Sequence, residues 1–270
     1  MTKRDVSAVS ADRQPGHLDF VKTPRSRRPP ASSLNWAYFL DVDGTLINLA
    51  ETPQAVLVDQ TLLDLIARLH RASGGALALI SGRMISDLQS RIGMPHLPLA
   101  GLHGLERRDS AGRLWIHAAA PAAKFAIKEA LAPVLARHPG LLLEDKGLTV
   151  ALHYRKAPAL AAYVHQLMGR LVRSAGENLE LQRGKCVVEI KPAGIDKGTA
   201  VAEYLAEPPF KGRRPVFIGD DLNDEHGFAE VNKLDGISIK VGKGTSCARF
   251  RLPDVAAVHH WLGDALKGIQ

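Results

Sequence analysis

Two carboxylates separated by one residue follow a short apolar run near the start of the chain. Asp41 and Asp43 come directly after residues 36–40, whose sequence Trp-Ala-Tyr-Phe-Leu predicts a buried strand. Carboxylates so spaced can both face the end of that strand, where ligands bind in an open α/β sheet. Gly44 permits a tight turn with positive φ, and Thr45 adds a hydroxyl and a backbone N–H for phosphate oxygens. The pattern therefore favours a phosphate site.

Two further apolar runs also end at polar side chains. Residues 76–80 lead to Ser81, and residues 215–219 lead to Asp220. The carboxyl ends of parallel strands meet at one edge of a sheet, so these groups are expected to lie near Asp41. A single acidic pair after a strand is equally well explained by an Asx turn. Three such strand ends in one chain favour a functional site.

Mg²⁺ prefers oxygen ligands and keeps several waters. Asp41 and Asp220 could supply carboxylates, and Asp43 could add its backbone carbonyl, so these three residues are the predicted metal ligands. The predicted phosphate ligands are Thr45, Ser81, Gly82 and Lys197. Zinc is not expected, because the chain has no paired-cysteine or histidine-rich spacing.

Strands and helices alternate in the first and last parts of the chain. Strands are predicted at 36–41, 76–80, 97–101, 215–220 and 237–241, and helices at 61–71, 85–92, 197–204 and 259–266. This alternation is typical of the α/β class, with a doubly wound parallel sheet and helices on both faces. The predicted core domain therefore comprises residues 35–118 and 191–270.

The middle of the chain has a different pattern. Helices are predicted at 122–137 and 157–174, and short strands at 141–144, 148–153, 179–182 and 186–190. A turn that contains Gly147 joins the first two of these strands, and a turn that contains Gly184 joins the last two. Such short turns favour antiparallel pairing. Residues 119–190 are therefore predicted to form an α+β domain inserted into the core.

The chain has 270 residues and a net charge of +7, and much of that charge lies in residues 1–34. This segment has few large apolar residues and is expected to be a disordered basic leader. No run approaches the roughly 18–20 apolar residues that span a bilayer, and residues 1–12 have no apolar core like that of a secretory signal, so none is expected. Cys186 and Cys247 are expected to be unpaired thiols in a reducing cytoplasm. Nucleic acid is not an expected partner, because no basic stripe with interleaved aromatic residues occurs in the predicted folded region.

Four segments resemble the motifs of the haloacid-dehalogenase (HAD) superfamily of phosphotransferases. These are Asp41-Val42-Asp43-Gly44-Thr45, Ser81, Lys197 and Gly219-Asp220-Asp221. The resemblance implies that Asp41 is a nucleophile that forms an aspartyl-phosphate, and that Asp43 is first a general acid and then a general base. It also implies that Mg²⁺ and Lys197 screen the repulsion between nucleophile and phosphate.

Other segments resemble one family in that superfamily, the trehalose-6-phosphate phosphatases. They are Gly101-Leu-His103-Gly104-Leu-Glu106, Glu144-Asp-Lys146-Gly147, Leu152-His153-Tyr154-Arg155 and Glu189-Ile-Lys191-Pro192. The resemblance covers about residues 36–262 and implies that residues 119–190 form a cap that closes over a sugar phosphate. It further implies hydrolysis of trehalose 6-phosphate and a functional pairing with trehalose-6-phosphate synthase.

Charged side chains on the short strands and turns of the inserted domain suit the hydroxyls of a sugar. The predicted substrate ligands are Glu144, Lys146, His153, Arg155, Lys185 and Glu189. Three polar residues after the fourth motif are expected to orient Asp220 and Lys197, namely Asp221, Asn223 and Asp224. His103 and Glu106 could contact substrate or simply order their loop.

Two alternatives remain open from the sequence. The first is a phosphatase of the same superfamily for another sugar phosphate, of the sucrose-phosphate, mannosyl-glycerate-phosphate or phosphomannose type. The second is a binding or regulatory module that has lost catalysis and whose basic leader contacts nucleic acid or a partner enzyme. The intact set of Asp41, Asp43, Lys197 and Asp220 favours an enzyme.

Overall fold

The computed structural model describes residues 27–49, 58–117, 121–176 and 178–267. The strands are β1 (Ala37–Leu40), β2 (Leu77–Ile80), β3 (Leu99–Gly101), β4 (Glu106–Arg108), β5 (Leu114–Ile116), β6 (Leu142–Asp145), β7 (Val150–His153), β8 (Leu179–Gly184), β9 (Val187–Pro192), β10 (Pro215–Gly219), β11 (Ile237–Val241) and β12 (Phe250–Leu252). The α-helices are α1 (Gln60–Ala72), α2 (Ile85–Ile92), α3 (Pro121–Arg137), α4 (Ala161–Ala175), α5 (Lys197–Leu205), α6 (Glu225–Lys233) and α7 (Val255–Asp264).

Within the described residues, the larger sheet has eight strands in the order β12-β11-β10-β1-β2-β3-β4-β5. The strands from β12 to β3 are all parallel, whereas β4 and β5 continue the sheet antiparallel. β1 lies centrally, with β10 on one side and β2 on the other. The carboxyl ends of these three strands therefore meet at the middle of one edge, as the sequence predicts.

Side chains of β1 alternate between two apolar cores. Tyr38 and Leu40 pack with residues of α1, α2 and α7, while Ala37 and Phe39 pack with residues of α5 and α6. All four side chains are fully buried. Helices thus cover both faces of the sheet, which confirms the predicted doubly wound α/β fold.

The smaller sheet has the order β6-β7-β9-β8, and all its neighbours are antiparallel. Helices α3 and α4 pack against it through a separate apolar cluster that includes Leu131, Met168 and Leu152. The helices and antiparallel strands predicted in the middle of the chain are therefore present. The exact boundaries predicted for the inserted domain stay predictions.

Four elements were not predicted: β4, β5, α6 and β12. The side chains of β5 are all exposed, so this strand lacks the buried apolar residues that mark a strand in a sequence. Predicted bounds differ from the observed ones by more than one residue at two helices. The helix predicted at 259–266 spans Val255–Asp264, because the Asp254 side chain caps it at Ala257 N. The helix predicted at 157–174 begins as a 3-10 turn at Pro158–Leu160 before α4.

Positions 1–26 of the predicted leader lie outside the described residues. Its last part contacts the core. The carbonyl of Arg27 accepts from Arg251 N of β12 at 3.0 Å, and Pro30 O accepts from the indole N–H of Trp261 at 2.8 Å. The described part of the predicted leader, residues 27–34, is therefore held against the core rather than disordered. Among the described helices, none combines the length and apolar character needed to cross a membrane.

Candidate active site

The loop after β1 carries Asp41 and Asp43 at the carboxyl edge of the larger sheet. The backbone N–H of Asp41 donates to Ile218 O of β10 at 3.0 Å, so the loop starts in register with the neighbouring strand. Gly44 has a φ of 89°, and a Cβ atom there would lie 2.3 Å from Oδ2 of Asp220. Only glycine therefore allows this turn to approach the loop after β10 so closely.

Lys197 is the first residue of α5 and lies between two carboxylates. The Asp196 side chain accepts from Thr199 N at 2.9 Å and caps the helix, so that α5 begins at Lys197. Its Nζ donates to Oδ1 of Asp41 and to Oδ1 of Asp224, both at 2.6 Å. Burial alone would lower the pKa of Lys197, but these two carboxylates raise it. The ammonium therefore stays charged next to Asp41.

Asp224 holds the loop that follows β10. Its Oδ2 accepts from the backbone N–H groups of Asp220 and Asp221, each at 2.8 Å, while Oδ1 accepts from Lys197. The residue is fully buried. These contacts tie Lys197 to the loop that carries Asp220, and the predicted orienting role of Asp224 stays a prediction. Asp221 and Asn223 lie nearby, on the wall of the cleft described below.

Three carboxylates form a compact acidic cluster. Ligand oxygens of Asp41, Asp220 and Asp224 lie within 4.8 Å of one another, and Oδ1 of Asp220 is buried without a hydrogen-bond partner among the described residues. Burial and the neighbouring Asp224 raise the pKa of Asp41 well above its ordinary value and that of Asp220 to about 6. A bound divalent cation would relieve this repulsion. Since both oxygens of Asp224 are engaged, Asp41 and Asp220 are the side chains that fit Mg²⁺.

The Asp43 side chain faces a different partner. Its two carboxylate oxygens accept from Nε and Nη2 of Arg83, both at 2.6 Å. The predicted contribution of Asp43 to a metal is its backbone carbonyl, and this stays a prediction. Arg83 was not among the predicted site residues. The signal was nonetheless present, because the run Ser81-Gly82-Arg83 follows β2 directly at the same sheet edge.

Three of the four predicted phosphate ligands line the cleft. Ser81 and Gly82 line the cleft together with Lys197, and Ser81 is almost fully buried. Thr45 is fully buried, its N–H donates to Val42 O at 3.3 Å, and its hydroxyl has no partner within the described segments. The phosphate contacts of these residues stay predictions.

A cleft of about 900 Å³ lies between the carboxyl edge of the larger sheet and the smaller sheet. Its walls bring together the predicted residues of both parts of the chain. From the core these are Asp41, Asp43, Ser81, Gly82, Lys197, Asp220, Asp221 and Asn223, and from the inserted segment Glu144, Lys146, His153, Arg155, Lys185 and Glu189. The cleft is large enough for a small sugar phosphate.

One lysine of the inserted segment contacts both that segment and a loop of the core. Nζ of Lys146 lies 2.9 Å from Oε2 of Glu189 and donates to Gly82 O of the core at 3.2 Å. Glu189 also accepts from Thr149, and its Oε2 lies 3.8 Å from Nε2 of His103. Burial alone would raise the pKa of Glu189, but Lys146 and His103 hold it well below its ordinary value. A charged carboxylate is thereby kept at a buried position in the cleft wall.

The remaining cap residues fall into two kinds. Oε2 of Glu144 accepts from Nε2 of His153 at 2.8 Å, and this contact lowers the pKa of Glu144. Arg155 and Lys185 are exposed cations whose side chains make no ion pair with any described residue. On the core side, Glu106 accepts from the backbone N–H of Ile85, so it orders the start of α2.

The sheet, its helices and the acidic cluster define the class of protein. A solved phosphatase of the haloalkanoate (HAD) enzyme superfamily from Bacteroides thetaiotaomicron superposes with a TM-score of 0.59 at 19% identity, covering 96% of this chain and 98% of that chain. The C-terminal domain of trehalose-6-phosphate phosphatase from Candida albicans gives a TM-score of 0.75 at 22% identity, covering 84% of this chain and 90% of that domain. The chain therefore has the HAD fold.

Sequence comparison identifies the family. The model of the trehalose-phosphatase family matches residues 39–255. The trehalose-6-phosphate phosphatase of Escherichia coli (strain K12) is 46% identical over 233 residues, which cover 86% of this chain and 87% of that protein. The chain belongs to the trehalose-phosphatase family and is a phosphatase.

Proposed function

We propose that this enzyme hydrolyses trehalose 6-phosphate to trehalose and inorganic phosphate through an aspartyl-phosphate on Asp41. The observation that carries the proposal is the position of Asp41. It lies at the carboxyl end of the central strand, bonded to a buried Lys197, and faces a cleft whose opposite wall carries charged hydrogen-bonding side chains. The family relationship supports the choice of sugar.

Mg²⁺ would bind at Asp41 and Asp220, with the backbone carbonyl of Asp43 as the third protein ligand. When bound, the ion supplies positive charge that offsets the repulsion between a carboxylate and a phosphate dianion. The buried, unpartnered oxygen of Asp220 supports this assignment. Lys197 adds a fixed positive charge at Asp41 that needs no reorganisation during the reaction.

The chemistry proceeds in two halves. A carboxylate oxygen of Asp41 forms a bond to phosphorus while the bond from phosphorus to the sugar oxygen breaks, and protonated Asp43 gives its proton to that oxygen. Water then attacks phosphorus, Asp43 takes a proton from this water, and the bond from phosphorus to Asp41 breaks. Free phosphate leaves, Asp41 is again a carboxylate, and Asp43 again carries its proton.

The inserted cap selects the sugar. Glu189, Lys146 and Glu144 place two acceptors and one donor on the cleft wall, which matches the hydroxyls of a disaccharide. The Lys146 contact to Gly82 O ties this wall to the core loop beside the phosphate site. A closed cap keeps bulk water from the aspartyl-phosphate until the alcohol has left. His153, Arg155 and Lys185 complete the proposed contacts.

The test is phosphate release from trehalose 6-phosphate, sucrose 6-phosphate, glucose 6-phosphate and mannose 6-phosphate, each with Mg²⁺ and with EDTA. Asp41→Asn protein serves as the control for contaminating phosphatases. We expect a strong preference for trehalose 6-phosphate that is lost in EDTA. Preference for another sugar phosphate would overturn the substrate assignment, and no release from any of them would favour a non-catalytic module.

Two further predictions concern the setting of the enzyme. A trehalose-6-phosphate synthase, which makes the substrate, is the proposed functional partner. A cytoplasmic location is proposed from the two free thiols, Cys186 and Cys247, which suit a reducing compartment. Nucleic acid and membrane are not proposed partners.

A further inference from the structure

Arg83 joins two carboxylates at the edge of the cleft. Its Nε and Nη2 bond both oxygens of Asp43 at 2.6 Å, and its Nη1 bonds Oδ2 of Asp87 at 2.8 Å. The Arg83 side chain is only 10% exposed, against 27% for Asp43 and 29% for Asp87. A guanidinium that forks onto one carboxylate fixes both the position and the plane of that carboxylate.

The arginine is itself held in place from three directions. Its backbone N–H donates to Oγ of Ser81 at 3.2 Å, and its carbonyl accepts from Leu102 N at 2.9 Å. Asp87 lies in the first turn of α2 and also accepts from Nε of Arg91 at 2.9 Å. The loop, the helix and the arginine therefore form one rigid support behind Asp43.

We propose that Arg83 is a positioning residue that acts through Asp43, and this rests on the proposed function. After Asp43 has given its proton to the leaving oxygen, it is a carboxylate. The fork of Arg83 matches this charged form and holds it where it must next accept a proton from water. Arg83 thus supports the second half of the reaction, in which the bond from phosphorus to Asp41 is hydrolysed.

A role of Arg83 in substrate binding would change the kinetic constants in a different way. Arg83 also lines the cleft and could simply bind the phosphate of the substrate. Loss of a binding contact would raise KM and leave kcat unchanged, whereas loss of a positioning contact lowers kcat at saturating substrate.

The variants are Arg83→Gln, which keeps a polar side chain but loses the charge and the fork, and Arg113→Gln as the matched control. Arg113 also pairs with a carboxylate, 2.9 Å from Oδ2 of Asp109, but its side chain is 69% exposed and is not among the residues that line the cleft. We expect Arg83→Gln to lower kcat for trehalose 6-phosphate about 100-fold, in line with the loss of general acid–base assistance. KM should fall together with kcat, because the phosphoenzyme accumulates when its hydrolysis limits turnover. Arg113→Gln is expected to keep wild-type kcat within about threefold.

The decisive readout uses p-nitrophenyl phosphate, whose leaving group departs as a stable anion and needs no proton from Asp43. With Arg83→Gln we expect a rapid burst of about one p-nitrophenolate per enzyme, followed by slow turnover, because the phosphoenzyme forms but water is not activated. The burst also counts folded active sites. Wild-type kcat in Arg83→Gln, a rise in KM alone, or slow turnover without a burst would each overturn the proposal. Failure of the proposed function would appear separately, as wild-type enzyme that does not act on trehalose 6-phosphate.

Discussion

Asp220 is expected to lower the stability of the metal-free protein. Its carboxylate is largely buried beside Asp224 and Asp221, and its folded pKa is raised from 3.8 to about 6. An acid whose folded pKa lies above its unfolded pKa binds more protons in the folded state between those two values. The contribution of protonated Asp220 to the free energy of unfolding is therefore complete below about pH 4 and is lost as the pH rises through about 6. At pH 7 the charged Asp220 therefore destabilises the metal-free protein.

The size of this cost follows from the pKa difference. A shift of about 2 units, at 1.36 kcal/mol per unit, gives about 3 kcal/mol at pH 7. Asp220→Asn removes the charge and keeps the shape of the side chain. In EDTA at pH 7 the variant should therefore be about 3 kcal/mol more stable than wild type, a rise in Tm of roughly 6 °C or more. Below pH 4 the difference should disappear.

Thermal unfolding at pH 4 and pH 7, with EDTA and then with Mg²⁺, measures this difference in stability between Asp220→Asn and wild type. Mg²⁺ should raise the Tm of wild type by binding the folded state and should leave Asp220→Asn nearly unchanged. Asp64→Asn is the control, because it neutralises an exposed carboxylate of α1 whose hydrogen-bond partner among the described residues is Gln60. The reasoning is refuted if Asp220→Asn is no more stable than wild type in EDTA at pH 7, or if Mg²⁺ stabilises both equally.

Four further substitutions test other parts of the site. Lys197→Met leaves two buried carboxylates without their cation, so we expect loss of turnover and about 3–5 kcal/mol lower stability in EDTA; unchanged Tm would contradict this. Lys146→Met should lower kcat/KM at least about 10-fold for the sugar phosphate but little for p-nitrophenyl phosphate, and an equal loss on both would argue against a sugar contact. Adding Glu189→Gln to Lys146→Met should restore part of the lost Tm, because the buried charge is then also removed. Gly44→Ala places a methyl group 2.3 Å from Asp220, so Mg²⁺ titration of activity should need higher Mg²⁺, and an unshifted titration would contradict the close approach.

The elements that lead to the site could be predicted because they carry strong apolar patterns. The helix predicted at 85–92 and the strand at 237–241 have the observed bounds, since apolar residues recur with the period of each element. Strands that end at carboxylates also identify the sheet edge. Strands β4, β5 and β12, towards the two ends of the larger sheet, have three residues each and few buried side chains, so no period could reveal them.

Pairings between distant side chains could not be predicted from the sequence. Asp43 and Arg83 are 40 residues apart, and the choice of Arg83 as partner depends on how two loops approach each other. The same holds for Asp224, whose two oxygens bond Lys197 and two backbone N–H groups. Its residue type and place in the motif indicated an orienting role, but only the packed structure shows which atoms it contacts.

The central claim is that Asp41 becomes phosphorylated during turnover. Enzyme mixed with trehalose 6-phosphate and Mg²⁺ would be quenched in acid within one turnover, digested, and mapped by mass spectrometry. We predict an acid-stable, base-labile phosphoryl group on the peptide that contains Asp41, and none in Asp41→Asn, whose fold is checked by circular dichroism. Phosphorylation of another residue, or full turnover by Asp41→Asn, would contradict the account.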